Sequence, residues 1–595
     1  MAASTHWLAT ASAQAVLERG GNAFDAAVAG AFVLHVVEPH LNGPGGDVVG
    51  LFVTEFEPRN PIVLMGQGPA PAGATVEHYR SEGLDLVPGA GALAAAIPGA
   101  VDAWLLLLRD HGSWELPDVL HFAIGYARDG HPMLGRVAAT IEAVAELFTE
   151  HWPTSAEQWM PGGSPVAEGE LVVNPALATT LQRLAEAATG ESRQERIDAA
   201  RREWREGFVA EAIVRFIRDP HRHSTGGDHA GVITGNDLAG FSAGYESAVT
   251  GEFRGHTIAK SGPWGQGPAI LQTLAILSGL DDDLLDPSTG VGAHTILESQ
   301  KLAFADREAY YGDGADVPLD YLLSPGYADL RRRLITNAAS LQLRPGTVAG
   351  VDAYFPPLVE ERPAGSAAGI GEPTIERAQP SEPGENPLDA GEPSVDLGGV
   401  TRGDTCHIDV IDRWGNVVSA TPSGGWLQSN PTIPELGFCL GTRLQMTWLE
   451  RGTPSTLTPG MRPRTTLTPT LVFGPNDEVT ALGSPGGDQQ DQWQLLYLLR
   501  TIIGGYTPQE AIDAPAFHST AFPESFWPRT WTQGGAVVES RLPEAAVAEL
   551  VLRGHNVTQV GGWSLGRLSA VGRSQSGLLF GAANPRGAQG YAAGR

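Results

Sequence analysis

The chain has 595 residues, a net charge of −29, and 42% hydrophobic against 18% charged residues. That balance supplies a large core and excludes a chain disordered throughout. The acidic excess excludes nucleic acid and anionic membrane surfaces as partners, since both would repel it.

In chain order, residues 8–19 and 24–37 read as helices, with Gly20-Gly21 ending the first and Asp25 helping to open the second. The apolar run 26–37 is too short to span a bilayer and is broken by His35. The first residues lead straight into a helix, and no basic segment with a cleavage site precedes it, so a cytoplasmic protein is expected. Residues 48–55 and 62–65 read as strands. From about 98 to 340 the pattern is mostly helical, with apolar spacing near 3.6 in segments such as 210–217 and 296–305. From about 344 to 402 Pro, Gly, Glu and Ser dominate and periodicity vanishes, which reads as a linker. From 405 onward the signal is β: 406–412 and 417–420 around Trp414-Gly415, then 467–473 and 478–482 around Gly474-Pro475-Asn476-Asp477. Residues 543–553 read as an amphipathic helix, and 568–572 with 578–580 as the last strands. The two cysteines, Cys406 and Cys439, cannot build a disulfide framework and read as small core residues.

The β-rich part opens on Gly403-Asp404-Thr405-Cys406-His407-Ile408-Asp409-Val410-Ile411-Asp412-Arg413-Trp414-Gly415-Asn416. A Thr heading a strand becomes nucleophile and base in one unit if the bond before it breaks: its Oγ attacks and its α-amine takes the proton. A free α-amine has a pKa of roughly 7.7–8.0, near what a general base needs. Taken alone, the same residues are an ordinary β-hairpin with a Thr at its start. Other segments stand beside it: Arg19-Gly20-Gly21-Asn22-Ala23-Phe24-Asp25, Glu38-Pro39-His40-Leu41-Asn42-Gly43-Pro44-Gly45-Gly46-Asp47, Ile97-Pro98-Gly99, Lys301-Leu302-Ala303-Phe304-Ala305-Asp306-Arg307, Arg462-Pro463-Arg464-Thr465-Thr466-Leu467-Thr468-Pro469-Thr470 and Gly483-Ser484-Pro485-Gly486-Gly487.

In this order, over nearly the whole length, these segments resemble the γ-glutamyltranspeptidase family of N-terminal-nucleophile hydrolases. The resemblance implies an α+β fold, an αββα four-layer sandwich cut from one precursor into a large subunit, 1–404, and a small one, 405–595. It implies cleavage between Asp404 and Thr405, with Thr405 as nucleophile, Ser423 as a hydroxyl bonding it, Gly486 and Gly487 as the oxyanion hole, and Thr465 and Thr466 near the acyl group. No cofactor and no metal are expected. The expected partners are a small amide substrate and the chain's own second fragment in a heterodimer, which could pair further.

The chain departs from the family where the γ-glutamyl head group is held. Gln67 stands for the carboxylate-binding Arg, Trp448 for the amine-binding acid, and Gly425, next to Trp426, for an Asn. A neutral amide cannot supply a charge-assisted bidentate pair, and two indoles suit an apolar or aromatic acyl group. The expectation is an amide hydrolase or acyltransferase with altered acyl specificity. One rival is a true γ-glutamyltransferase (glutathione hydrolase) in which Arg443 and Arg464 compensate. Another is an inactive family fold serving as an interaction protein. His221, His223, Asp228 and His229 read as a solvated turn rather than a metal site. His40 and His294 read as structural. Cys406 and His407, adjacent on a strand, face opposite ways and cannot form a dyad.

Overall fold

The computed structural model describes residues 1–224, 226–314, 316–360, 405–475, 477–586 and 590–595. Most of the expected linker, and Asp404 with the bond ahead of Thr405, lie outside the described residues.

Two antiparallel sheets form the centre. The first runs, edge to edge, through Tyr591–Ala593, Ala2–Ser4, Ile408–Ile411, Val417–Ser423, Asp47–Thr54, Glu57–Gly66 and Gly244–Ser247. The second runs through Leu579–Ala583, Ser569–Arg573, Val479–Gly483, Thr470–Phe473, His256–Lys260 and Val249–Phe253. Their inner faces meet in an apolar layer that includes Val49, Leu51, Val53, Ile411, Val417, Leu471, Phe473, Ala481 and Val571. The alternate residues Val48, Phe52, Ile408, Val410, Val418 and Ala420 turn outward onto a helical layer, as period-two strands buried on both faces must.

Helix Ala23–Val37 lies in that layer. It starts with a capping box between Asn22 and Asp25, and every residue in it is buried, which matches a sequence apolar all round. Behind the second sheet, helices Pro268–Leu277, Gly290–Tyr310 and Gln490–Ile502 complete the fourth layer. The αββα arrangement is therefore the one the family resemblance implied.

The stretch from 98 to 340 is mostly helical, and Gly244–Ser247, Val249–Phe253 and His256–Lys260 are short strands within it. One reading of the sequence needs correction: the first residues do not lead straight into a helix. Ala2–Ser4 pairs with both Ile408–Ile411 and Tyr591–Ala593, and the Met1 amine donates to the Ile411 carbonyl at 2.9 Å.

Asp412 locks the turn between the two strands that carry the site. Its Oδ1 accepts the N–H groups of Trp414, Gly415 and Asn416 at 2.9–3.0 Å. Its Oδ2 accepts from Asn416 Nδ2 at 2.8 Å and from the Ala23 N–H, at the start of a helix, at 2.9 Å. A carboxylate there also meets the positive end of the helix dipole. Asp412→Ala should cost roughly 3 kcal/mol by stranding buried donors, and Asp412→Asn less. Unfolding midpoints of the two variants in urea will rank them.

Candidate active site

Thr405 is 2% exposed and forms an antiparallel bridge with Ser423, at the end of the pairing between Ile408–Ile411 and Val417–Ser423. Strand parity sends Thr405, His407 and Asp409 to the face between the sheets and Cys406 to the helical side. The Thr405 hydroxyl donates to Ser423 Oγ at 3.4 Å and accepts from Gln490 Nε2 at 3.4 Å. Among the described residues no carboxylate or imidazole bonds to it. Gln490 is held in turn by the Thr468 N–H, which donates to its Oε1 at 3.2 Å.

His407 is not available as a base. Its Nδ1 meets Thr421 Oγ1 at 2.9 Å and its Nε2 meets Asp409 Oδ1 at 2.8 Å. With Asp409 ionised, Nε2 carries the proton and Nδ1 accepts from Thr421. The ring occupies the space over Gly483, where a Cβ would lie 2.1 Å from His407 Cε1.

Cys406 points the other way. Its thiol donates to Glu38 Oε2 at 3.0 Å and its sulfur accepts from Asn42 Nδ2 at 2.9 Å. Burial, then the Glu38 carboxylate, pushes its pKa well above the usual thiol value. Burial likewise pushes Cys439 up to about 12. Neither is a thiolate near neutral pH.

Gly486 and Gly487 follow the Val479–Gly483 strand at φ 118° and 50° and lead through a 3-10 turn into helix Gln490–Ile502. A Cβ on Gly486 would lie 2.4 Å from the Trp493 ring, so glycine is required on both counts. N–H groups at a helix start have no intrahelical acceptor and favour developing negative charge. The loop is anchored from behind. Gln266 Nε2 donates to the Gly487 carbonyl at 3.2 Å, and Arg307 Nη1 donates to Gln266 Oε1 at 2.8 Å. Asp488 accepts from Arg307 and, at 2.7 Å, from the Ser525 N–H. Glu308 pairs with both Arg307 and Arg464, at 2.8 and 2.7 Å. Arg464 is therefore committed to Glu308.

Beyond Ser423 a small cavity opens, lined among others by Asp47, Gln67, Gly424, Trp426 and Arg443. Gln67 and Trp426 both line it. Gly424, rather than Gly425, faces the cavity. Gly425 packs so closely that a Cβ would sit 3.0 Å from the Cys439 carbonyl oxygen and the Gly46 nitrogen. Trp448 does not line the cavity; it is buried under the Arg529 guanidinium, 4.0 Å from the ring centre, with Tyr354 edge-on. Thr465 is pinned by backbone bonds to Trp264 and Gln266, and the Thr466 hydroxyl is buried. Neither bonds to Thr405 among the described residues.

The side chains that sequence reasoning missed are Gln490, Gln266 and Asp47. The histidine cluster is held by its own pairs: Arg222 with Asp228 at 2.6 Å, and His229 with Glu82 at 2.5 Å. His294 bonds His555 and the Thr336 carbonyl at 2.9 and 2.7 Å. Glu298 joins this buried set, but Lys301 and Arg344 already bind it at 2.8 and 2.9 Å. Two cations on the one carboxylate disfavour a third.

A four-layer αββα sandwich with a hydroxyl residue heading a central strand is the architecture of N-terminal-nucleophile hydrolases. The sequence model of the Gamma-glutamyltranspeptidase family matches residues 9–594, and the chain belongs to that family. The oxamate amidohydrolase proenzyme of Klebsiella pneumoniae is 31% identical, with 100% of this chain and 98% of that protein covered. The solved structure of LmbA2991HD is 52% identical, with a TM-score of 0.89 and coverage of 100% and 98%. The cephalosporin acylase of Bacillus halodurans is 25% identical, with a TM-score of 0.78 and coverage of 99% and 94%.

The burial of both thiols leads to a direct expectation. Native protein at pH 8 should leave Cys406 and Cys439 unlabelled by iodoacetamide, and denatured protein should label at both. Rapid native labelling of Cys406 would reinstate a thiol nucleophile.

Proposed function

We propose that the chain is a self-processing amide hydrolase or acyltransferase whose nucleophile is Thr405, with an acyl specificity other than γ-glutamyl. One observation carries this reading: the buried Thr405 hydroxyl touches Ser423 and Gln490, neither of which takes up a proton near neutral pH. The proton acceptor must then be the α-amine of Thr405, which becomes basic only after the Asp404–Thr405 bond is broken.

In maturation, Thr405 Oγ attacks the Asp404 carbonyl carbon, the peptide C–N bond breaks as the ester forms, and water hydrolyses the ester. Fragments of 404 and 191 residues result, held together by the sheet that both build. In turnover, Oγ attacks the substrate amide carbonyl and the α-amine takes the hydroxyl proton. The N–H groups of Gly486 and Gly487 receive the oxyanion. The amine leaves with that proton, and water or a second amine then takes the acyl group from Thr405.

Three features support a changed acyl specificity. Gln67 replaces a cation, and Arg464 is tied to Glu308. The relatives also include an oxamate amidohydrolase and a cephalosporin acylase.

Purified protein should run as two bands, the smaller beginning at Thr405. Thr405→Ala should leave one band near the chain mass of 62.6 kDa. A wild-type chain that stays whole would support the inert-scaffold reading instead. Processed enzyme should hydrolyse neutral acyl p-nitroanilides faster than γ-glutamyl-p-nitroanilide, and the reverse order would restore γ-glutamyl transfer.

The anchoring of Gly487 by Gln266 and Arg307 makes these positioning residues. Gln266→Leu should lower kcat by roughly tenfold to a hundredfold with KM little changed, the pattern of a lost transition-state contact. A rise in KM alone would remove that role.

A further inference from the structure

Gln490 donates to Thr405 yet takes no part in the steps by which Thr405 attacks. It opens helix Gln490–Ile502, just after the Gly486-Gly487 turn, and is fully buried. Two bonds fix its amide. The Thr468 N–H donates to Oε1 at 3.2 Å, and Nε2 donates to Thr405 Oγ1 at 3.4 Å. A backbone N–H can only donate, so the amide oxygen must face Thr468 and the NH2 group must face the threonine.

A buried ion pair holds Thr468. Lys260 Nζ meets Asp491 Oδ1 at 2.9 Å, with both side chains buried. The same ammonium donates to the Thr468 carbonyl at 3.0 Å and to Thr470 Oγ1 at 2.7 Å. Within 3.0 Å it thus has three acceptors, one for each proton. Asp491 Oδ1 also accepts from Thr468 Oγ1 at 2.9 Å, and Gln494 Nε2 donates to the Thr468 carbonyl at 2.9 Å. Thr468 is held by its carbonyl and its hydroxyl, so its N–H stays on Gln490 Oε1.

A donor on Oγ does little for attack, because it occupies a lone pair of the oxygen that must give electrons. It helps when Oγ departs. In the second half of maturation a water oxygen bonds to the ester carbon, the C–Oγ bond breaks, and its electron pair stays on Oγ. The α-amine, free once the ester has formed, takes the water proton and passes it to Oγ.

We propose that Gln490 is a catalytic residue for this departure. Its Nε2 donates to Oγ while the electron pair collects there, in hydrolysis of the maturation ester and again whenever an acyl group leaves Thr405 in turnover. A hydrogen bond to an oxygen that gains charge shortens and strengthens, so a contact of 3.4 Å in the resting chain tightens as the bond breaks. The proposal rests on Thr405 being the nucleophile.

Maturation supplies the test, since it needs no added substrate. Gln490→Leu removes the donor and stays close in size. The variant should still form the ester but hydrolyse it roughly tenfold to a hundredfold more slowly than wild type. It should then remain linked in water and be split by neutral hydroxylamine, which attacks esters and not amides. The products would be a small fragment beginning at Thr405 and a large one ending in the hydroxamate of Asp404. Gln490→Glu keeps the shape and the bond from Thr468 but sets a carboxylate against Oγ. Its maturation rate relative to wild type should rise from pH 8 to pH 5, as protonation restores a donor; a merely structural role gives no such rise. Gln490→Leu maturing at the wild-type rate would overturn the proposal, as would a folded variant that hydroxylamine cannot split, because the fault would then precede the ester. Where Gln490→Leu does not fold, a flat pH ratio for Gln490→Glu has the same force. In each of those cases two wild-type bands leave the proposed function standing. A wild-type chain that never splits removes both.

Discussion

Partner residues in an antiparallel pair share a face. The register that sets Ile408 opposite Ala420 and Ile411 opposite Val417 therefore decides where the chemistry lies. Carried outward, it brings Thr405 against Ser423 and His407 against Thr421 in the space between the sheets, and it buries the Cys406 thiol against Glu38. A slip of one residue would exchange these faces, putting a thiol in the site and the threonine among the helices. Packing on both sides opposes the slip. The His407 ring fills the space over Gly483, and Ile408 Cδ1 lies 2.5 Å from where a Cβ on Gly30 would stand. At the far end Asp412 fixes the turn. Glycines and one carboxylate thus specify the site as firmly as its reacting residues do.

What the sequence made legible follows from range. Long apolar elements such as Ala23–Val37 are local patterns, and the strands from 405 onward are bounded by turn residues, so both could be read. Thr405 and Ser423 lie on one hairpin, and the Gly486-Gly487 turn announces itself by composition. Gln490 and Gln266 could not be read this way. Each is an unremarked amide in a helical or loop segment, and its partner lies 85 or 221 residues away. Only the stacking of the two sheets brings them to Thr405 and to the Gly486-Gly487 loop. Trp448 is placed by a local feature. A short 3-10 turn at Arg443–Met446 redirects the chain, so an indole three residues beyond Gln445 packs on Arg529 rather than in the cavity.

The buried arginines show how a chain of net charge −29 separates scaffold from site. Arg307 and Arg464 face Glu308 and Asp488, two cations against two anions, with Gln266 and Ser525 taking remaining edges. Such a set is balanced, and breaking it would strand a charge at a cost of about 3–5 kcal/mol. Its consequence is geometric: the Gly487 carbonyl is held from behind by Gln266, which Arg307 holds in turn.

Arg443 is built differently. Asp47 accepts from its Nε and Nη2, and its Nη1 meets the Met446 sulfur, a weak acceptor. A guanidinium buried here without Asp47 would bear the full desolvation penalty. Gln67, fully buried with its Oε1 unpaired among the described residues, carries no charge to offset, so the charge balance of this lining rests on the Asp47–Arg443 pair.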